Sequence, residues 1–159
     1  MTTPTFRTSA AGDGMTPVDS LAQLSFLVLG TLERSAGAHD LSMIQTRLLG
    51  VLRDRRPGMQ ELALLLELDK SSVTGLVDRA ERRGLVERKA SSTDRRAVQV
   101  GLTHKGRSVV AAVAGRFAAE VTALLAYLPA KDRNALTATA GRLVAAHAEK
   151  HGVELFPGR

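Results

Sequence analysis

Apolar side chains recur along this chain first at a helical spacing, then briefly in alternation, then at a helical spacing again. Leu21, Leu24, Phe26/Leu27, Val28 and Leu32 follow a 3.6-residue period and predict helix 1 over about 18–36. Ahead of them "TPVD" (16–19) supplies a capping Thr, a Pro at the first helical position and an Asp three residues on. Gly37 closes the segment. "LSMIQ" (41–45) repeats the device, with Ser42 as cap and Gln45 reaching back, and Ile44, Leu48, Val51 and Leu52 line one face of helix 2 up to "RRPG" (55–58). "QELALLLEL" (60–68) is a short helix 3. Asp69 then caps helix 4, "KSSVTGLVDRAERR", whose Val73, Leu76, Val77 and Ala80 share a face, and Gly84 suits its left-handed stop.

Past Gly84 the period drops to two. "LVERKA" (85–90) and "AVQVGL" (97–102) alternate with six polar residues between them, which predicts a hairpin with a long loop. Thr103 caps a long helix 5 striped by Val109, Val110, Val113, Phe117, Val121, Leu124 and Leu125. "LPAKD" (128–132) breaks it at Pro129, and a last helix carries Leu136, Ala140, Leu143 and Val144 to about Lys150.

Helix 3, a four-residue turn, helix 4 and the hairpin together make a helix-turn-helix with a wing. Opposite its apolar face, helix 4 carries Lys70, Ser71, Ser72, Thr74 and Arg79, with Gly75 in the same stripe. Short hydrogen-bonding groups lie near the N-terminus and long basic ones, Arg79, Arg82 and Arg83, lie further along. A recognition helix has that order, with base edges met first and phosphates later.

Charge sharpens this picture. The net charge is +6, and the window 70–107 holds ten Lys/Arg against four Asp/Glu, so the rest of the chain sums to zero. A basic charge confined to one segment is an electrostatic footprint for a polyanion. With four Phe, one Tyr and no Trp, stacking on single strands is a poor fit and duplex DNA a better one. The absence of Cys removes disulfides, thiolate chemistry and Cys-ligated zinc. "LAQLSFLVLGTL" (21–32) is too short and interrupted to span a bilayer and lacks a basic leader, so a cytoplasmic protein without membrane partners is expected.

The stretch 61–107, "ELALLLELDKSSVTGLVDRAERRGLVERKASSTDRRAVQVGLTHKGR", closely resembles the winged-helix core of the MarR (multiple antibiotic resistance regulator) family. "GLVER", "DRRAV" and "LTHKGR" are the most specific parts, and "LSMIQ" is similar to the start of the family's second helix. The resemblance implies a homodimeric regulator of transcription, a ligand-responsive repressor on a pseudopalindromic duplex operator. Its first and last two helices would interlock as the dimer region, and its recognition helices would enter successive major grooves. It also assigns Asp94 as an orienting carboxylate, Arg96 as a minor-groove arginine and Arg95 to phosphate or the same groove. Narrow minor grooves attract arginine on independent electrostatic grounds. The expected DNA-binding set is Lys70, Ser71, Ser72, Thr74, Gly75, Arg79, Arg88, Asp94, Arg95 and Arg96. Gly75 departs from the family, which often carries a long polar or basic side chain there. Family members often bind small aromatic or anionic effectors between the dimer region and the DNA lobe. Phe26, His39, Met43, Arg47 and Phe117 are the candidate lining residues, each equally compatible with core packing or a surface salt bridge. Cysteine-oxidation switching cannot operate here.

The expected fold is mainly α with a small β-hairpin wing. It comprises a disordered arm (1–15, with Met15 an alternative start), dimerisation helices (16–40 and 103–150), a winged helix-turn-helix DNA-binding domain (41–102) and a tail (151–159). His147 and His151 stand four apart, a spacing that can hold a metal, but they fit a solvated helix end better; no metal and no cofactor are expected. No nucleophile-base pair, carboxylate pair or phosphate loop points to an enzyme. Two alternatives to the ligand-responsive repressor remain: a metal-responsive DNA-binding regulator, and a helical dimeric interaction protein with weakened DNA binding, which Gly75 keeps open.

Overall fold

The computed structural model describes residues 14–90 and 98–151. Its elements are α1 (Pro17–Gly37), α2 (Met43–Asp54), α3 (Met59–Leu66), α4 (Lys70–Arg82), β1 (Val86–Ala90), β2 (Val98–Leu102), α5 (His104–Leu125) and α6 (Ala130–His151).

Four helices begin where a short polar side chain takes over an orphan backbone N–H. Thr16 accepts from the Asp19 amide at 3.1 Å, and Ser42 and Gln45 form a reciprocal box with bonds of 3.4 and 3.0 Å. Asp69 accepts from the Ser72 amide at 2.9 Å and Thr103 from the Gly106 amide at 2.9 Å. The Thr103 hydroxyl also donates to the Gly84 carbonyl at 2.7 Å, which fastens the start of α5 to the turn after α4. Gly84 takes the left-handed conformation expected of it, with φ 68°.

Three details differ from the sequence expectation. Gly37 stays helical, and the left-handed residue of the α1–α2 corner is Asp40 (φ 54°). Helix α3 ends at Leu66 because Glu67 turns left-handed (φ 56°), and the turn to α4 is then three residues long rather than four. Leu85 precedes β1, although it is buried as an alternating strand residue would be.

The strands pair antiparallel from Val86↔Leu102 to Ala90↔Val98, and Gly58 bridges Gln99 on the outer side of β2. The core lies beneath them. Leu48, Leu49 and Leu52 of α2, Leu62 and Leu66 of α3, and Val73, Leu76, Val77 and Ala80 of α4 are buried against Leu85, Val86, Val100 and Leu102. Ala36 from α1 and Val113 from α5 complete it. Each large aliphatic side chain so buried contributes about 1.5–3 kcal/mol before chain entropy is counted.

The outer helices are covered much less. Helix α1 packs along α5, yet Leu21, Phe26, Leu27 and Leu29 remain exposed. Helix α6 barely meets the rest of the chain, and among its described side chains only Ala148 is buried. Only Gly106 and Val113 of α5 are buried, although an 18-residue window of this 22-residue helix reaches a mean hydropathy of 1.6, long and apolar enough to cross a membrane. It is the one such helix among the described residues.

Candidate nucleic-acid interface

The apolar stripe of α4 fixes which of its side chains reach solvent. With Val73, Leu76, Val77 and Ala80 inside, Lys70, Ser71, Ser72, Thr74 and Arg79 are all exposed and Gly75 lies between them. Ser71, Ser72, Gly75 and Arg79 border a groove of about 350 Å³ whose other wall is Ile44 of α2 and Leu68 of the turn. A Cβ at Gly75 would lie 3.3 Å from Nη1 of Arg79, the movable end of a long side chain, so the fold itself does not require glycine there.

Asp69 organises the first turn. Its Oδ1 accepts from the Ser71 hydroxyl at 2.5 Å and its Oδ2 from the Ser72 hydroxyl at 2.6 Å. These hydroxyl bonds, Ser71 first, then Ser72 and the Ser72 amide, hold the carboxyl well below the usual carboxylate range.

Two arginines that the sequence placed on the DNA side turn inward. Arg88, on β1, gives Nη2 to Asp78 at 2.6 Å and Nη1 to Glu81, both on α4. Partial burial works against its charge, but the Asp78 and Glu81 carboxylates outweigh that and raise its pKa. Arg88 therefore braces β1 of the hairpin against α4. Arg83 donates to the carbonyls of Asp40 (2.7 Å) and His39 (2.9 Å), while Lys105 Nζ donates to the Arg83 carbonyl at 2.9 Å. Arg79 and Arg82 remain exposed. Asp94, Arg95 and Arg96 lie outside the described residues; the strand ends that bracket them, Ala90 and Val98, are paired.

The five candidate effector residues do not come together. Arg47 and Phe117 line a cavity of about 300 Å³ between α1, α2 and α5, with Leu32, Leu41, Thr46, Leu49, Gly50, Arg53, Val110, Val113 and Ala114. Phe26 borders a separate hollow of about 460 Å³ with Arg34, Glu120 and Tyr127. His39 sits in the α1–α2 corner with its carbonyl on Arg83, and Met43 is half-buried at the start of α2, away from both hollows. Thr46, Gly50 and Arg53, which stand at helical spacing to one another along α2, line the same cavity, and a Cβ at Gly50 would meet nothing within 4 Å. Among the described residues no group of three or more His, Asp or Glu could hold a metal ion.

A three-helix core, a helix whose polar face is open to solvent and a hairpin braced against it define a winged helix-turn-helix protein with long helical extensions. Residues 39–97 match the model of the MarR family, so this segment, which spans α2, the helix-turn-helix and the first strand of the wing, is similar to that family. No curated protein matches the sequence. Solved structures of similar fold include RV1404 of Mycobacterium tuberculosis, 24% identical over 86% of this chain and 97% of that one, with a TM-score of 0.75. MepR, a transcription regulator of the Staphylococcus aureus multidrug efflux pump MepA, is 19% identical over 83% and 98% (TM-score 0.71). YusO of Bacillus subtilis is 23% identical over 80% and 91% (TM-score 0.67). A MepR variant has been solved bound to an oligodeoxyribonucleotide, and MepR itself bound to ethidium bromide.

Proposed function

We propose that this chain is a cytoplasmic, ligand-responsive repressor that binds a pseudopalindromic duplex operator as a homodimer. The observation that carries the proposal is the open face of α4, with Lys70, Ser71, Ser72, Thr74 and Arg79 all solvent-facing beside a braced hairpin. In this reading α4 enters the major groove, Arg96 enters the minor groove with Asp94 orienting it, and Arg95 meets phosphate. Attraction comes mainly from counterion release by the basic window 70–107.

Dimerisation is supported by the apolar side chains left uncovered on α1, on the turn between α5 and α6 and on α6, among them Phe26 (65% exposed), Tyr127 (86%) and Leu143 (59%). A second copy would cover α5 without a membrane. The 300 Å³ cavity, apolar inside and edged by Arg47, with Arg53 beside it already held by Asp54, has the size and a cation for a small aromatic anion. The MepR complexes with an oligodeoxyribonucleotide and with ethidium bromide support both kinds of partner by analogy of fold.

The test is selection of bound fragments from genomic DNA by the purified protein, repeated at two salt concentrations and with aromatic carboxylates added. A recurrent inverted repeat, bound less tightly as salt rises and released by one of the carboxylates, is the expected result. Equal binding to all duplexes would leave the interaction-protein reading in its place.

A further inference from the structure

The three hydroxyls on the open face of α4 all direct their single proton back into the helix. Ser71 donates to Asp69 Oδ1, Ser72 to Asp69 Oδ2, and Thr74 to the Lys70 carbonyl at 2.8 Å. A hydroxyl has one proton and two lone pairs, so what each presents outward is acceptor capacity. Gly75 adds nothing to the row, and the donors on this face are the cations at its two ends, Lys70 and Arg79.

In the major groove, adenine N6 and cytosine N4 are amino donors, whereas guanine O6 and thymine O4 are acceptors. An acceptor hydroxyl pressed against O6 or O4 leaves two lone pairs opposed and both groups cut off from water. For Ser71 or Ser72 to donate instead, it must give up a charge-assisted bond to an ionised carboxylate, which is stronger than a bond to a neutral base. Resting on the DNA-binding reading above, we propose that Ser71 and Ser72, polarised by Asp69, select amino bases, adenine or cytosine, over keto bases, guanine or thymine, on the strand they face.

The experiment is selection from a random duplex pool with the full-length wild type and with Ser71→Ala, Ser72→Ala and Asp69→Asn. Wild-type half-sites should contain at least one position that prefers adenine or cytosine about tenfold over guanine or thymine, and a serine variant should reduce that preference to about twofold. Asp69→Asn keeps an acceptor oxygen for the Ser72 amide, while its new N–H₂ donates to a serine oxygen and releases the hydroxyl proton. That variant should admit guanine or thymine at the same position. Replacing a selected adenine with purine, which lacks the amino group, should cost the wild type the same tenfold and the serine variant much less. Helix content by circular dichroism must match wild type in every variant for the comparison to count, and the purine substitution tests the idea in unmutated protein. A pool with no enriched sequence overturns the DNA-binding reading and this inference together. Enriched half-sites that prefer keto bases opposite the serines, or that no variant changes, overturn this inference alone.

Discussion

Arg88 illustrates how a cation in a winged-helix domain can be taken up by the fold itself. Its side chain is three-quarters covered and its guanidinium meets two carboxylates of α4, whose own side chains are about 40% exposed (42% for Asp78 and 40% for Glu81). Removing it leaves Asp78 and Glu81 facing each other without a counter-charge, and solvent relieves part of that cost. Arg88→Ala should therefore lower stability by only about 1–2 kcal/mol in thermal melts. Its larger effect should be on operator affinity, through a wing no longer held to the recognition helix. Arg96→Ala should do the reverse, weakening operator binding about tenfold, or roughly 1.4 kcal/mol, with no change in melting temperature or dimer mass. Fluorescence anisotropy on a labelled operator separates the two, and unchanged affinity in Arg96→Ala would sink the wing assignment. At Gly75 the helix carries the entropic cost of a glycine with only the tip of Arg79 nearby. Gly75→Ala should raise stability by about 0.5–1 kcal/mol, and a drop in melting temperature would mean that Arg79 cannot give way.

At the level of elements, the junction between the wing and α5 is the tightest point of the fold. A Cβ at Gly106 would lie 1.9 Å from the Leu85 carbonyl oxygen, a backbone atom that cannot step aside. Gly106→Ala should cost about 3 kcal/mol or more, read by denaturant unfolding, and a neutral result would contradict the close approach of α5 to the turn. The glycine of "LTHKGR" thus has a steric explanation that no periodicity argument supplies. The helices themselves were legible because their caps are local: Thr16, Ser42, Asp69 and Thr103 each accept an amide three residues ahead. The buried face of α4 was legible for the same reason. Arg83 and Arg88 were not, since their partners lie 43–44 and 7–10 residues away and only the folded chain brings them close. The 300 Å³ cavity was half legible, because its lining comes from three helices and period alone cannot tell a side chain over a void from one over a neighbour.

Among the described residues, hydrophobic burial is concentrated between Leu41 and Val113, with Ala36 and Ala148 the buried hydrophobic residues outside that stretch. A 22-residue helix such as α6, with Leu143 and Val144 both open to solvent, buries too little to be held by its own chain. If a second copy covers it, Leu143→Glu should shift the protein toward monomer in light scattering while the winged domain keeps its near-ultraviolet signature. A variant that stays dimeric would place the interface elsewhere. The grip of Arg83 on the His39 and Asp40 carbonyls gives this architecture a mechanical corollary. The C-terminal end of α4 is tied directly to the corner where α1 meets α2, so any tilt of that corner would be passed to α4 through two hydrogen bonds rather than through the hydrophobic interior.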